Sequence, residues 1–309
     1  IDRGWSTYLC VRVAEVTAGT SDQPSVTLTE RRVRNLGSDV AVGDWIIVSE
    51  DGERIASVLP RRSQLVRRAS SEDGRAVPQT IAANIDVVFV VHSLDNAPNQ
   101  RRLERELVLA FDSGAHPVVV LTKSDIVSSD ESDYVIRLIS ATSLGVPVHV
   151  VSSVTGVGLT ELRNYVGLGS TAVVLGASGA GKSTLINALT GSDSQQTGEI
   201  RVGDGRGRHT TIAADLVALP DGGWLVDTPG IRTLGLWTSG HGIERAFADI
   251  FTLADGCRFR DCKHDREPGC AVVAAVASGD LAQLRLDSMR RLVAEEAELE
   301  REQLRIQRR

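Results

Sequence analysis

The stretch TAVVLGASGAGKSTLINALT, Thr171 to Thr190, decides the fold. A run of aliphatic residues leads into glycines and then into a segment of helical composition. Gly176, Gly181, Lys182 and Ser183 satisfy G-x-x-x-x-G-K-[ST] between a strand and a helix, which is the context a phosphate-binding loop needs. The backbone from Gly176 through Ala177, Ser178, Gly179, Ala180 and Gly181 to Lys182, Ser183 and Thr184 is expected to curl its N–H groups around phosphate at a helix N-terminus. Lys182 would neutralise the β- and γ-oxygens, and the Ser183 hydroxyl would face a magnesium ion. The motif points to a nucleoside triphosphate and says nothing of the base.

Upstream of this loop stands LTKSD, Leu121 to Asp125. It resembles the N-K-x-D element of GTPases, in which an aspartate accepts hydrogen bonds from the N1–H and the exocyclic amine of guanine. Asp125 holds that place, Lys123 would lay its stem along the ring, and Ser124 lies between them. Thr122 replaces the usual asparagine and is expected to reach less far, with no amide to bridge base and phosphate loop. Just past the strand PVHVV, Ser152, Ser153 and Val154 resemble the S-A-K loop whose backbone meets guanine O6. Downstream, Asp227 ends the strand WLV in D-T-P-G. That is where a P-loop protein keeps the acidic residue that reaches magnesium, and Gly230 would offer its N–H to the γ-phosphate. The base reader, its companion loop, the phosphate loop and D-T-P-G thus occur in rotated order. A circularly permuted domain is predicted, tolerated because domain termini lie close together on the surface.

Aliphatic strands alternate with helical stretches from about residue 84, which implies parallel βαβ units with functional loops at the strand carboxyl ends. Residues 1–70 instead carry short β-type runs separated by turns, consistent with a small β-barrel. After residue 240 helical patterns return. The expected layout is therefore a barrel over 1–70, a nucleotide-binding α/β domain over 71–240 and a helical domain over 241–309. The chain of 309 residues is 42% hydrophobic and 24% charged, with net charge −6. That composition excludes a disordered chain and a uniformly basic nucleic-acid binder, while arginine clusters such as RRSQLVRR and CRFRDCKHDR leave open either RNA contact or solvated surface. Apolar runs fall short of the ~20 residues of a membrane span, and a cytoplasmic protein is expected. Trp5, Trp45 and Phe259 offer stacking surfaces for bases, with core packing the expected fate of Trp45.

Cys257, Cys262, His264 and Cys270, spaced C-x₄-C-x-H-x₅-C, supply four soft or borderline ligands around a Pro-Gly turn. This predicts a closed, structural zinc site.

The motif order, the phrase TGEI…GRGRHTT at Thr197 to Thr211 and CRFRDCKHDREPGCAV together resemble the bacterial ribosome small-subunit-dependent GTPases, over nearly the whole chain. The resemblance implies an OB-fold barrel, a circularly permuted P-loop GTPase domain and a zinc-binding helical domain that contacts ribosomal RNA. It also implies hydrolysis of GTP to GDP and phosphate, stimulated by the small subunit late in 30S maturation, by a monomer with no membrane partner. Ile231 stands just after the glycine of D-x-x-G, where Ras-like switches keep a water-orienting glutamine, and an apolar side chain cannot do that work. His209 is the catalytic candidate by resemblance, the alternative being an exposed or RNA-touching loop residue. Thr210 or Thr211 would close over magnesium and the γ-phosphate. Ser153 and Ile212 depart from the family pattern, as Thr122 does. A nucleotide-gated RNA-binding switch with negligible catalysis is the competing reading.

Overall fold

The computed structural model describes residues 7–17, 25–35, 39–70, 76–143, 145–191, 215–227, 235–237 and 240–307. These fall into two compact units, divided after Arg61. In the first unit, β1 (Thr7–Thr17) pairs antiparallel with β2 (Ser25–Asn35) from Thr7↔Asn35 to Thr17↔Ser25. The short strands β3 (Ile46–Val48) and β4 (Ile55–Val58) form a second hairpin, joined to the first by a bridge between Arg34 and Arg54. Arg61 anchors the end of this unit through two hydrogen bonds of 2.8 Å to the Asp44 carboxylate. Trp45, expected in the core, is 61% exposed, and Ile47 is exposed beside it. Residues two apart on a strand share a face, so Trp45 and Ile47 lie together on the outward side of this narrow hairpin.

The second unit opens with the hairpin β5 (Gln64–Ser70) and β6 (Ala76–Ala83). Ser63 donates to the Ile85 carbonyl at 2.6 Å and Gln64 N–H to the Ser113 carbonyl at 2.9 Å. These bonds tie β5 to the α/β region, so the compact division precedes the boundary expected at residue 70.

Next come β7 (Val87–Ser93), α1 (Gln100–Asp112), β8 (His116–Thr122), α2 (Ser129–Thr142), β9 (Val148–Val150), α3 (Leu159–Arg163), β10 (Thr171–Gly176), α4 (Lys182–Thr190), β11 (Asp215–Ala218) and β12 (Trp224–Asp227). The six strands form one sheet in the order β11-β12-β10-β7-β8-β9. All neighbours are parallel except β11 and β12. Strands β7, β8 and β10 are near-continuous aliphatic runs because both faces are covered. On one face Phe89 and Val91 pack with Leu162 of α3 and with Leu185, Ile186 and Leu189 of α4. The chain enters the sheet at its middle strand, runs to one edge through β8 and β9, returns at β10 and then runs to the other edge. Strand order reverses between β7 and β10, and such reversals place a ligand crevice at the strand carboxyl ends.

The C-terminal part carries α5 (Gly240–Ala246), α6 (Ala248–Ala254), α7 (Ala271–Ser278) and α8 (Gln283–Gln307). Gly242 lets α5 press onto α1, since a Cβ there would lie 2.3 Å from the Val108 carbonyl oxygen. Its N–H donates to Asp112. Arg285 of α8 is buried at the junction of four helices. It donates to both Asp249 oxygens at 2.6 and 2.7 Å, to Glu104 at 3.3 Å, and to the carbonyls of Thr142 and Ala246 at 3.1 and 2.9 Å. Its guanidinium also lies over the Phe247 ring. A charge this deeply buried persists because every side of it is paired. Among the described residues no helix is long and apolar enough to cross a membrane.

Candidate functional site

The crevice is built from backbone that only glycine tolerates. A Cβ on Gly176 would lie 2.3 Å from the Val91 carbonyl oxygen, so the chain leaving β10 passes against β7 with no room for a side chain. Gly179 and Gly181 have φ of +80° and +86°, the left-handed turns that swing the loop around before α4. No side chain caps α4, so its first N–H groups face the loop's interior, where an anion fits. Ser178, Gly179, Ser183 and Thr184 are exposed and Ala180 is buried beneath them. The Lys182 ammonium curls over the loop, donating to the carbonyls of Gly176 at 2.9 Å and Ala177 at 2.7 Å.

Burial pushes the Lys182 ammonium below its ordinary pKa, helped by the positive charge of Arg102, while Glu106 and Asp227 oppose the shift. Asp227 is buried at the end of β12. Arg102 and Glu106 come from α1 and carry no motif that reading the chain would single out. Glu106 is fully buried, and accepts from Arg102 Nε and pairs with His92 Nε2, each at 2.8 Å.

On the other side of β7 lies the loop carrying Thr122, Lys123, Ser124 and Asp125. Thr122 has no amide to bridge base and phosphate loop, but its hydroxyl does meet the loop's backbone. It lies 2.7 Å from the carbonyl oxygen of Ala180 and 3.3 Å from that of His92, fully buried. The shorter side chain suffices because Gly181 brings the phosphate loop close, its Cβ position being 3.3 Å from Thr122 Oγ1. Ser152 donates to Asp125 Oδ1 at 2.6 Å and accepts from Thr155 N–H at 3.1 Å, so the companion loop holds one oxygen of the Asp125 carboxylate. Ser124 N–H donates to the Val151 carbonyl, which fastens the two loops together. Gly158 turns the companion loop tightly over Val150, where a Cβ would sit 2.4 Å from a carbonyl oxygen. Ser153 stands half-buried and Val154 exposed at this rim. His209, Thr210, Thr211, Ile212, Gly230 and Ile231 lie outside the described residues.

A second cluster occupies the C-terminal part. The donor atoms of Cys257, Cys262, His264 and Cys270 all lie within 4.8 Å of one another. Cys257 Sγ is 3.8 Å from Cys270 Sγ, and His264 Nδ1 is 3.6 and 3.5 Å from those two sulfurs. A tetrahedral ion with bonds of about 2.3 Å to sulfur and 2.0 Å to nitrogen has edges of ~3.8 and ~3.5 Å, so these donors match such a shell. The turn between them depends on Gly269, at φ +78° and packed against Arg258. Glu267 accepts from its own N–H and from those of Lys263, Asp265 and Arg266, which holds its carboxyl down at about 2. Arg290 of α8 donates to the His264 carbonyl.

The family model described as RsgA GTPase matches residues 58–237. A small ribosomal subunit biogenesis GTPase RsgA from Streptomyces coelicolor is 48% identical over 83% of this chain and 70% of its own length. A protein of the same name from Methanosarcina acetivorans is 41% identical over 85% of this chain and 71% of its own. The crystal structure of YjeQ from Thermotoga maritima superposes with TM-score 0.64 at 25% identity, covering 94% of this chain and 99% of that one. YloQ, titled a circularly permuted GTPase, shares the fold with TM-score 0.60 at 21% identity, over 94% of this chain and 96% of its own.

Proposed function

The chain belongs to the RsgA GTPase family, and from that membership we propose a GTPase that serves biogenesis of the small ribosomal subunit, its turnover raised by the 30S particle. The observation that carries this reading is the convergence of three loops, distant in sequence, on the crevice between β7 and β10. They are the phosphate loop, the Thr122–Asp125 loop and the Ser152 loop, cross-linked by the Thr122–Ala180 and Ser152–Asp125 hydrogen bonds.

In the proposed chemistry, Asp125 reads the guanine N1–H and amine. An adenine would offer this carboxylate no matching donors, and losing such hydrogen bonds discriminates by roughly 10⁴-fold or more. The N–H groups from Gly176 to Thr184 cradle the phosphates, and Lys182 turns from its two carbonyl partners to the β- and γ-oxygens. Magnesium, when bound, supplies charge to the same oxygens, with Ser183, Asp227 and one of Thr210 and Thr211 around it. Gly230 donates to the γ-phosphate. With an apolar residue at Ile231, His209 orients the attacking water for in-line displacement on the small subunit. Stimulation of ~10² to 10⁴ corresponds to about 3 to 5 kcal/mol of barrier, within reach of positioning alone.

In this reading Cys257, Cys262, His264 and Cys270 hold zinc, one ion per chain. Four protein ligands leave no place for a reacting water, so the ion's contribution is a cross-link. The first unit is an OB-fold, the second unit up to residue 240 the permuted GTPase domain with the β5–β6 hairpin at its start, and 241–309 a zinc-binding domain, with ribosomal RNA as partner of the outer two. The outward Trp45 suits a base-stacking surface. The protein acts as a cytoplasmic monomer that cycles between GTP and GDP.

The deciding experiment is GTP turnover by the full chain alone, with 30S subunits and with 50S subunits. Selective acceleration by 30S is expected. An intrinsic rate unmoved by either particle would remove the small subunit as stimulator and favour a switch that only docks.

A further inference from the structure

We infer that Asp95 is a positioning residue for nucleotide binding, its carboxylate holding the Lys123 side chain ready as the surface on which the guanine ring lies. This rests on the reading of Thr122 to Asp125 as the guanine-recognition loop.

Ladder pairing between β7 and β8 ends at Ser93↔Thr122, and Leu94 N–H still donates to the Thr122 carbonyl at 3.0 Å. Beyond that point the two strand ends are joined by side chains. Lys123 Nζ lies 2.8 Å from Asp95 Oδ2, so the lysine stem spans from the end of β8 to the loop after β7. The Lys123 backbone sits at φ +63°, a left-handed conformation rare for a residue with a side chain. Asp95 is itself oriented, because Asn96 Nδ2 donates to its other oxygen at 2.8 Å and to Ser93 Oγ at 3.1 Å. Burial works against ionisation of Asp95, yet the hydrogen bonds from Lys123 and Ser93 outweigh it and hold the carboxyl below its ordinary pKa. Two residues beyond Lys123 stands Asp125, fixed from the opposite side by Ser152.

The two carboxylates therefore do different work. Asp125 presents acceptors to the edge of the ring, and Asp95 arrests the four-carbon stem that covers its face. A free lysine loses rotamer freedom when a ring stacks on it, and fixing it beforehand removes that cost from binding. An ion pair about three-tenths exposed on each side contributes little to folding, so its effect should fall on affinity.

Binding of GDP and IDP to the full chain tests this, because IDP lacks the amine that Asp125 reads but keeps the ring face. Asp95→Asn should weaken both nucleotides by the same factor, about two- to fivefold, the range of an exposed ion pair. Asp95→Glu should recover part of the loss. In a Lys123→Met background, which keeps an apolar stem without its charge, Asp95→Asn should add nothing. Unchanged GDP affinity in Asp95→Asn, or an equal loss in the Lys123→Met background, would overturn the inference. A drop in urea midpoint that parallels the affinity loss would also overturn it, in favour of a plain structural role. Failure of the unsubstituted chain to bind GDP would instead remove the guanine reading on which it rests.

Discussion

The hydroxyl of Thr122 lies 2.7 Å from the main-chain carbonyl oxygen of Ala180, joining the Thr122–Asp125 loop to the phosphate loop across the end of β7. The bond is buried and short, and it crosses the point where the chain order of the sheet reverses. Thr122→Val keeps the shape and removes the donor. Leaving the Ala180 carbonyl without it should cost about 1 to 2 kcal/mol of stability. Release of a fluorescent GDP analogue should quicken several-fold, measured by displacement in a stopped-flow instrument.

Asp125→Asn should exchange one base for another. An amide presents a donor where the carboxylate accepted, so guanine loses its partners and xanthine, with a carbonyl at C2, gains one. GTP affinity should fall by roughly 10² to 10⁴, with XTP binding rising to exceed it. Competition of GTP and XTP against labelled GDP checks both directions.

Loss of one member of the Cys/His cluster should be felt in α7 and α8 before it is felt in the sheet. If the cluster holds the proposed zinc, Cys262→Ser should lower bound zinc from one per chain, read by atomic emission, and make the C-terminal helices protease-sensitive. Structural zinc contributes on the order of 10 kcal/mol to the segment it organises. Nucleotide binding by the remaining domain should survive at moderate temperature.

Arg285→Leu should be far more damaging than an ordinary surface substitution. It takes the cation away from the buried Glu104, which keeps only the neutral Gln100 amide at 2.9 Å on that oxygen, and from the half-buried Asp249, and removing one partner of a buried pair costs about 3 to 5 kcal/mol. Because this residue joins α8 to α1, α2, α5 and α6, urea unfolding should lose its single transition, with the C-terminal helices detaching first.

The affinity deficit of Asp95→Asn should not vary with pH across the neutral range. The folded carboxyl titrates below its ordinary value of 3.8, so its contribution is complete above that value. It is lost as pH falls through the lowered pKa, because only then does the native carboxylate take up its proton. GDP titrations between pH 8 and pH 5 should therefore give parallel lines for the two proteins. Convergence within that window would mean that another group controls the effect.

Much of the chemistry was legible because it is encoded locally. Glycines at 176, 179 and 181 set the phosphate-loop path through φ values and close approaches that no other residue tolerates. The spacing of Cys257, Cys262, His264 and Cys270 is short enough that a single turn brings the donors together. The rotated order of the motifs pointed to permutation, and the strand order, with the likeness to a circularly permuted GTPase, agrees. Trp45 shows the limit. An aromatic among aliphatic residues reads as core, but in a two-stranded hairpin one face is left outward, and the tryptophan lies on it.

The amino-acid sequence by itself determined the family, through the order of its motifs, and the phosphate loop, the α/β alternation and the grouping of the four soft ligands, each of which depends on neighbours a few residues apart. Only the tertiary structure decided that Thr122 reaches Ala180, that Asp95 lies against Lys123, that the charges of Arg102 and Glu106 act on Lys182, and that Arg285 gathers four helices. It also decided that β5 belongs to the second unit. The physical reason is common to all of these. Each contact joins strands or helices far apart in the chain, and whether a hydroxyl or a carboxylate meets its partner depends on how closely the backbones approach, a distance set by the packing of the whole sheet.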